Sequence, residues 1–256
     1  MKPREPRAAV FSAIHNSETD TASETEDSDT RADKLPEPLV GLCDPDLRGL
    51  SLSEMHEKCD VTFNKLKHTL TQEQCVNLEL ATREQAQSTP WHTHRIGRIT
   101  STTFYRACTV VSESATRNLV KSIMHYNERE LNCNAIRYGR ENEDTARQQY
   151  IQLMEKKHQN FEAKQCGLFV QKDRQHLGAS PDGVTSCSCC GRGVLEIKCP
   201  YKYRDGLTGS QEDTQFCLDS SLKLKKIINI TTKSNCTWLS VMFTTVTLLF
   251  GQSVQL

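Results

Sequence analysis

The sequence lacks the features of a secreted or membrane-spanning protein. Residues 1–10 are charged and contain two prolines, so they do not form the apolar segment of a signal peptide. The apolar run at residues 238–250 has 13 residues, whereas a helix needs about 20 to cross a bilayer. We therefore expect an intracellular protein, in the nucleus or the cytoplasm, whose 12 cysteines are reduced thiols.

Net charge is also absent, but the charges are unevenly distributed. Residues 1–60 contain 7 Lys and Arg against 14 Asp and Glu, which leaves 25 basic and 18 acidic residues in the remainder. A mildly basic body behind an acidic head is compatible with a nucleic-acid partner. The signal is weak, because many soluble domains reach such an excess.

Composition, hydrophobic spacing and the motif blocks quoted below divide the chain into four segments. Residues 1–50 include a stretch that is nearly all Ser, Thr, Asp and Glu, and we predict a disordered acidic leader there. Residues 51–90 have apolar residues at roughly helical spacing and predict a helical region. The body follows at residues 91–226, and residues 227–256 form the tail.

Local patterns predict an α/β fold, with a mixed sheet flanked by helices. Thr71 and Gln74 have the spacing of a capping box, and Pro90 is expected to end the helical run. The pattern then changes from helical to alternating. One helix or a helix pair is expected over residues 100–126 and a further helix over residues 141–158. Strands are expected over residues 161–171, 175–184 and 193–199.

One predicted strand carries charge in an apolar setting. Side chains alternate along a strand, so Glu196 and Lys198 share one face while Leu195 and Ile197 share the other. A hairpin would bring Asp182, in a Pro-Asp-Gly turn, beside Glu196. Two adjacent carboxylates repel each other unless a cation lies between them, and oxygen ligands suit Mg²⁺ or Mn²⁺. The alternative is an edge hairpin whose Glu–Lys pair faces solvent.

Longer blocks around these residues resemble the YqaJ viral recombinase and phage lambda exonuclease family of PD-(D/E)xK nucleases. Four blocks occur in the family's order over about 110 residues. They are residues 91–101 (WHTHRIGRITS), 139–146 (GRENEDTA), 178–183 (GASPDG) and 195–200 (LEIKCP). The resemblance implies a restriction-endonuclease-like core within residues 91–226.

The resemblance assigns roles to individual residues. It implies that Glu143, Asp182 and Glu196 bind a catalytic Mg²⁺ or Mn²⁺ ion, and that Lys198 is the catalytic lysine. Glu141, on the same helix as Glu143, is expected to be a solvated carboxylate. The resemblance also implies that Arg95 and Thr102 bind the 5′-terminal phosphate of DNA. Thr102 stands where the family usually has a serine.

The implied activity is metal-dependent hydrolysis of DNA phosphodiester bonds, by an exonuclease acting on linear duplex ends in recombination or repair. The lambda enzyme is a ring-shaped trimer, so a homo-oligomer is compatible with the resemblance, and no residue pattern shows one. Two alternatives stay open. One is a catalytically impaired DNA-binding or adaptor module, and the other is a restriction-type endonuclease on the same core.

The cysteines at the tip of the predicted hairpin raise a separate question. Cys187, Cys189 and Cys190 could bind zinc, but their C-x-C-C spacing differs from the usual C-x-x-C knuckle. Cys199 is expected to point to the face opposite Glu196. We therefore favour a variable thiol-rich turn over a zinc site.

The resemblance stops in the tail. The family continues with a helix that holds a Tyr-Tyr-Gln block and with a strand that reads like Cys-Asp-Phe-Val, and residues 227–256 show neither. Reading the codons one base earlier permits YYYQIQL and then YCDFVVW, with leucine forced at the junction of Asn235 and Cys236. We interpret residues 227–256 as an aberrant, out-of-frame tail. The chain as written is then expected to lack the last core helix and strand, and to have weak activity and poor solubility.

Overall fold

The structure is a computed structural model that describes residues 35–66, 69–126, 133–206, 212–213 and 245–250. It divides the chain into two compact units. Unit 1 comprises Met1–Ile99 and Gly167–Ala179, and unit 2 comprises Thr100–Cys166 and Ser180–Leu256. Within the described residues, no helix is both long enough and apolar enough to cross a membrane.

The part of unit 1 that the structure describes is mainly helical. Short 3-10 turns at Leu39–Leu42 and Pro45–Leu47 precede three α-helices. The helices are α1 (Leu52–Leu66), α2 (Gln72–Ala81) and α3 (Thr89–Arg95). Two short strands complete the unit and pair antiparallel with each other, β2 (Phe169–Gln171) and β3 (Arg174–Ala179). Strand β1 (Glu162–Lys164) belongs to unit 2.

Helix α2 packs on strand β2 in unit 1. Its N-terminus has the predicted capping box, in which Gln74 N–H donates to the Thr71 hydroxyl at 3.1 Å and Thr71 N–H donates to the Gln74 side-chain oxygen at 3.0 Å. At its other end, the Thr82 hydroxyl accepts the Leu168 N–H at 2.7 Å. A Cβ at Gly167 would lie 2.1 Å from the Glu79 carbonyl oxygen, so only glycine permits this close approach.

The described residues of unit 2 form three α-helices and a four-stranded sheet. The helices are α4 (Ser101–Thr109), α5 (Glu113–Ile123) and α6 (Asn134–Glu155). The strand order is β1-β4-β5-β6. The strands are β1 (Glu162–Lys164), β4 (Gly183–Cys187), β5 (Gly191–Lys198) and β6 (Thr245–Phe250). Strand β4 pairs antiparallel with β1 and β5, and β6 runs parallel to β5.

The core of unit 2 lies between α6 and β5. Ala146 and Tyr150 on the helix pack against Leu195 and Ile197 on the strand, and all four side chains are buried. This confirms the alternation predicted for β5, because Glu196 and Lys198 are only half-buried. Burial of these apolar side chains fixes the helix against the strand, and therefore fixes the charged groups that each element carries.

The mixed α/β prediction is confirmed, but several element boundaries differ. Residues 161–171 form two strands in different sheets, because residues 165–168 interrupt the extended stretch. Pro90 was expected to end a helix, and this prediction is wrong. Pro90 lies in the first turn of α3, where the backbone N–H that proline lacks would have no partner within the helix. The helix or helix pair predicted at residues 100–126 is a pair, α4 and α5, as one of the two readings expected.

Parts of two predicted segments lie outside the described residues. These are residues 1–34 of the acidic leader and most of the tail at residues 227–256. The chain was expected to lack a last core strand, and here the structure differs. Strand β6, within the tail, pairs with β5 from Gly193 to Lys198. The out-of-frame origin of the tail stays a prediction.

Candidate metal and nuclease site

The hairpin formed by β4 and β5 positions the first carboxylate. Gly183, the first residue of β4, pairs with Leu195, so Asp182 lies beside Glu196 at the open end of the hairpin. The Asp182 carboxylate accepts the Ile197 N–H at 2.5 Å, which fixes its orientation. A Cβ at Gly183 would lie 3.1 Å from the Lys164 carbonyl oxygen, so glycine lets this turn sit close against β1.

Glu196 and Lys198 project from one face of β5, next to Asp182. Their side chains are 17% and 29% exposed, respectively, and the lysine ammonium forms an ion pair with the Glu196 carboxylate. The same ammonium donates to the Ile197 carbonyl oxygen at 3.1 Å. The structure therefore brings together the three residues that the sequence predicted on the hairpin.

Helix α6 carries Glu143, and a buried arginine on the same helix connects Glu143 to the site. The Arg147 side chain is 8% exposed, and it donates to the Glu143 carboxylate at 2.7 Å. It also donates to the Asp182 backbone oxygen at 3.3 Å and pairs with Asp144. Arg147 thus links the helix carboxylate to the turn that carries Asp182. Glu141 is 64% exposed and faces Arg137 at 3.9 Å, as expected for a solvated carboxylate.

The electrostatics of the site depend on burial and on the crowding of negative charge. Burial, together with the Glu196 and Glu143 charges, raises the pKa of Asp182 from 3.8 to about 7. For Lys198, burial acts to lower the pKa, but the carboxylates of Glu196, Asp182 and Glu143 together raise it above its ordinary value. A buried cluster with more negative than positive groups is therefore stabilised by an added cation.

The donor set fits a hard divalent cation, although its oxygens stand apart from one another. Among the described residues, the carboxylates of Glu143, Asp182 and Glu196 do not form a set with oxygens all within 4.8 Å of one another. Arg147 and Lys198 each hold one of these carboxylates in an ion pair. Three carboxylates suit Mg²⁺ or Mn²⁺.

The two residues predicted to bind the 5′-phosphate lie in different units. Arg95 ends α3 in unit 1, with its guanidinium 4.0 Å from the centre of the Trp91 ring. Thr102 is an exposed residue of α4 in unit 2, and its hydroxyl lies 3.0 Å from that of Thr100. Thr102 shares its unit with the carboxylates, and Arg95 does not.

Sequence reasoning missed two residues that the structure makes prominent. Arg147 follows Glu143 by four positions on α6, and this spacing, which is typical of a helical ion pair, could have revealed it. His158 lies just after α6 and contacts the cysteines at the hairpin tip. No short motif connects residues 158 and 187–190, so only the fold reveals that contact.

A family model described as the YqaJ-like viral recombinase domain matches residues 90–229, which is more than half of the chain. Three solved structures are also similar. LHK-Exo in complex with dAMP is 24% identical with a TM-score of 0.38, and the match covers 57% of this chain and 66% of that chain. A second LHK-Exo structure, of the alkaline exonuclease from Laribacter hongkongensis, is 25% identical with a TM-score of 0.31 and coverages of 42% and 50%.

The third structure is the Shutoff and Exonuclease Protein from Kaposi's sarcoma-associated herpesvirus. It is 19% identical with a TM-score of 0.34, and the match covers 51% of this chain and 26% of that protein. The chain spans less than two thirds of each of these structures. A comparison with curated proteins gives no match.

Proposed function

The chain belongs to the YqaJ-like viral recombinase domain family, and we propose that it hydrolyses DNA phosphodiester bonds with a divalent metal ion. The favoured activity is that of an exonuclease on linear duplex DNA, in recombination or repair. One observation carries the proposal. Asp182, Glu196 and Lys198 meet at the open end of one hairpin, and Arg147 ties Glu143 to the same turn.

We propose that unit 2 contains a PD-(D/E)xK core, and the positions of its charged residues support this. Pro181 and Asp182 precede β4, Glu196 and Lys198 lie two residues apart on β5, and α6 supplies Glu143. We propose that the three carboxylates hold Mg²⁺ or Mn²⁺. When bound, such an ion activates water as a nucleophile and stabilises the charge on the leaving oxygen.

Lys198 acts as an ammonium in this arrangement. It already donates to Glu196 and to the Ile197 carbonyl oxygen, so it can exchange one of these bonds for the attacking water or a phosphate oxygen. This use fits its raised pKa, which disfavours a neutral amine. We therefore propose that Lys198 orients the water and offsets phosphate charge.

DNA ends are the proposed partner. Arg95 and Thr102 are proposed to contact the 5′-terminal phosphate, through a planar guanidinium and a hydroxyl respectively. The Trp91 ring beneath the Arg95 guanidinium holds that group in place. A homo-oligomer and a nuclear or cytoplasmic location remain proposals from the sequence.

The test uses end-labelled linear duplex DNA and a covalently closed circle of the same sequence, with Mg²⁺ or with EDTA. We expect mononucleotide release from the linear duplex with Mg²⁺ only, and an intact circle. Cutting of the circle would instead indicate the restriction-type alternative. Loss of preference for a 5′-phosphate over a 5′-hydroxyl in Arg95→Ala would support the phosphate-binding role.

Whether this chain acts as a nuclease or as an adaptor depends on its tail, residues 227–256. We propose to sequence the transcript across the codons for residues 222–256 and to assay the chain both as written and with the shifted reading frame. DNA binding without cleavage by the chain as written, with cleavage by the shifted form, would make this chain an adaptor. Equal cleavage by both would reject the out-of-frame interpretation, since β6 would then serve as the native strand.

A further inference from the structure

The tip of the β4–β5 hairpin gathers three cysteines and one histidine from separate parts of unit 2. Cys187 ends β4, Cys189 and Cys190 form the turn, and His158 follows α6. The His158 Nδ1 atom and the three Sγ atoms all lie within 4.8 Å of one another. Among the described residues, no other set of metal-binding side chains meets this criterion.

The distances within this cluster match the edges of a zinc tetrahedron. Zn–S bonds of about 2.3 Å and Zn–N bonds of about 2.0–2.1 Å place two sulfurs about 3.8 Å apart, and a sulfur and a nitrogen about 3.5 Å apart. The Cys189 Sγ atom lies 3.5 Å from that of Cys187 and 3.7 Å from that of Cys190. The His158 Nδ1 atom lies 3.2 Å from Cys189 and 3.6 Å from both Cys187 and Cys190.

The surrounding backbone holds the four groups in this arrangement. Ser188 N–H donates to the Gln159 carbonyl oxygen at 2.9 Å, which fastens the tip to the segment after α6. Cys190 N–H donates to the Cys187 sulfur at 3.3 Å, a bond that stabilises a thiolate. Gly191 has a φ of +81°, a conformation that glycine adopts readily, and it returns the chain into β5.

We propose that His158, Cys187, Cys189 and Cys190 bind one zinc ion. Three thiolates and one imidazole form a common structural zinc set, and soft sulfur ligands select zinc over Mg²⁺. Ligation through Nδ1 leaves the His158 proton on Nε2. The unusual C-x-C-C spacing is accommodated because the fourth ligand comes from outside the hairpin.

The site is separate from the proposed catalytic centre and has a structural role. Cys190 precedes Glu196 by six residues, and at about 3.3 Å per residue along a strand this is about 20 Å. Zinc would clamp the far end of the hairpin to the segment after α6. Because α6 carries Glu143 and β5 carries Glu196, the clamp joins the two elements on which the carboxylates stand.

The primary test measures metal binding by the full chain. After exposure to Zn²⁺ and desalting, we expect about one equivalent of zinc per chain. Replacement with Co²⁺ should produce the intense visible bands of tetrahedral cobalt and a thiolate-to-cobalt charge-transfer band in the near ultraviolet. Oxygen ligands at the carboxylate site produce neither, so Glu196→Gln should retain both.

Residue-level alkylation identifies the ligands without relying on activity. With zinc bound, Cys187, Cys189 and Cys190 should resist iodoacetamide, and they should react after treatment with a chelator. Cys108, an exposed cysteine of the same unit, should react in both states. Cys108→Ser is the matched control variant and should bind zinc as the parent does.

His158→Ala should weaken zinc binding at least tenfold in competition with a chelator, since loss of even an outer-shell partner costs about 10–100-fold. Absence of the thiolate band in the parent chain would overturn the proposal. So would equal alkylation of the three cysteines with and without zinc, or a disulfide among them after purification under reducing conditions. Unchanged zinc affinity in His158→Ala would remove His158 from the site.

Discussion

The two ends of the β4–β5 hairpin present opposite chemistry on the same scaffold. At the open end, which we call the oxygen end, Asp182, Glu196 and Lys198 offer carboxylate and ammonium groups that are partly buried. At the tip, the cysteine end, Cys187, Cys189 and Cys190 meet His158 near solvent. Each end also receives a residue from α6 or the segment that follows it, so one helix and one hairpin build both sites.

The two ends differ in the type of ligand atom and in how closely those atoms are already arranged for a metal ion. The cysteine end already has tetrahedral distances between its ligand atoms, which suits a permanent structural ion. The oxygen end has its carboxylates held in ion pairs by Arg147 and Lys198, which suits an exchangeable ion that arrives with substrate. Changes at one end should therefore leave the metal at the other end in place.

The largest expected effect comes from removing the lysine of the oxygen end. Lys198→Met should lower the cleavage rate by about 10²–10⁴-fold, the range for a side chain that stabilises charge developing in the transition state. DNA affinity and zinc content should stay near those of the parent. Single-turnover cleavage and metal analysis of one preparation measure both, and loss of zinc in this variant would show that the ends are coupled.

A smaller loss is expected from the arginine behind the carboxylates. Arg147→Met releases Glu143 and removes a donor from the Asp182 carbonyl, so activity should fall by about 10–100-fold, as for other residues that orient metal ligands. The Mg²⁺ concentration for half-maximal activity should also change. Arg137→Met, which breaks an exposed pair on the same helix, is the control and should have no such effect.

The Asp182 carboxylate should make the stability of the metal-free chain depend on pH. The Asp182 pKa is raised on folding from 3.8 to about 7, so in this pH range the folded chain binds more protons than the unfolded chain. The contribution of Asp182 to stability therefore falls as pH rises from about 4 to about 7. In EDTA at pH 8, Asp182→Asn should unfold at a higher temperature than the parent, by roughly 2–4 °C for about 1 kcal/mol.

Thermal unfolding with and without Mg²⁺ sharpens that result. The ion should raise the unfolding temperature of the parent more than that of Asp182→Asn, because it binds the folded carboxylates. A parent that is more stable than the variant in EDTA at pH 8 would show that Asp182 is not crowded by negative charge.

The smallest effect is expected at the exposed carboxylate of α6. Glu141→Gln should change cleavage by less than about twofold, because exposed ion pairs contribute about 0–1 kcal/mol. Glu143→Gln, two residues away, should reduce cleavage strongly. Similar losses in the two variants would show that Glu143 is wrongly assigned as the helix carboxylate of the oxygen end.

The sequence predicts the oxygen end well because its pattern is local. Alternation along β5 places Glu196 and Lys198 on one face, and a short hairpin is enough to bring Asp182 beside them. Glu143 required the family resemblance, since a helix carboxylate has no local signal of its own. Arg147 was missed although its spacing from Glu143 follows the helical repeat.

The cysteine end could not be predicted because its fourth ligand comes from elsewhere in the chain. His158 meets the cysteines only because α6 ends at Glu155 and the segment that follows hydrogen-bonds to the hairpin tip. Pro90 was misread for a different reason. Proline ends a helix when it lies inside one, yet it favours the first turn, and Ser88, which caps α3, is the signal that distinguishes these cases.

Mg²⁺-dependent degradation of end-labelled linear duplex DNA by the parent and by Glu196→Gln tests the nuclease assignment most directly. The parent should degrade the DNA with Mg²⁺, and the variant should be slower by about 10³-fold, since metal binding supplies several kcal/mol to the reaction. The variant should still bind the DNA and keep its thiolate-bound zinc. Equal rates for the two proteins would contradict the assignment of the oxygen end as the nuclease site.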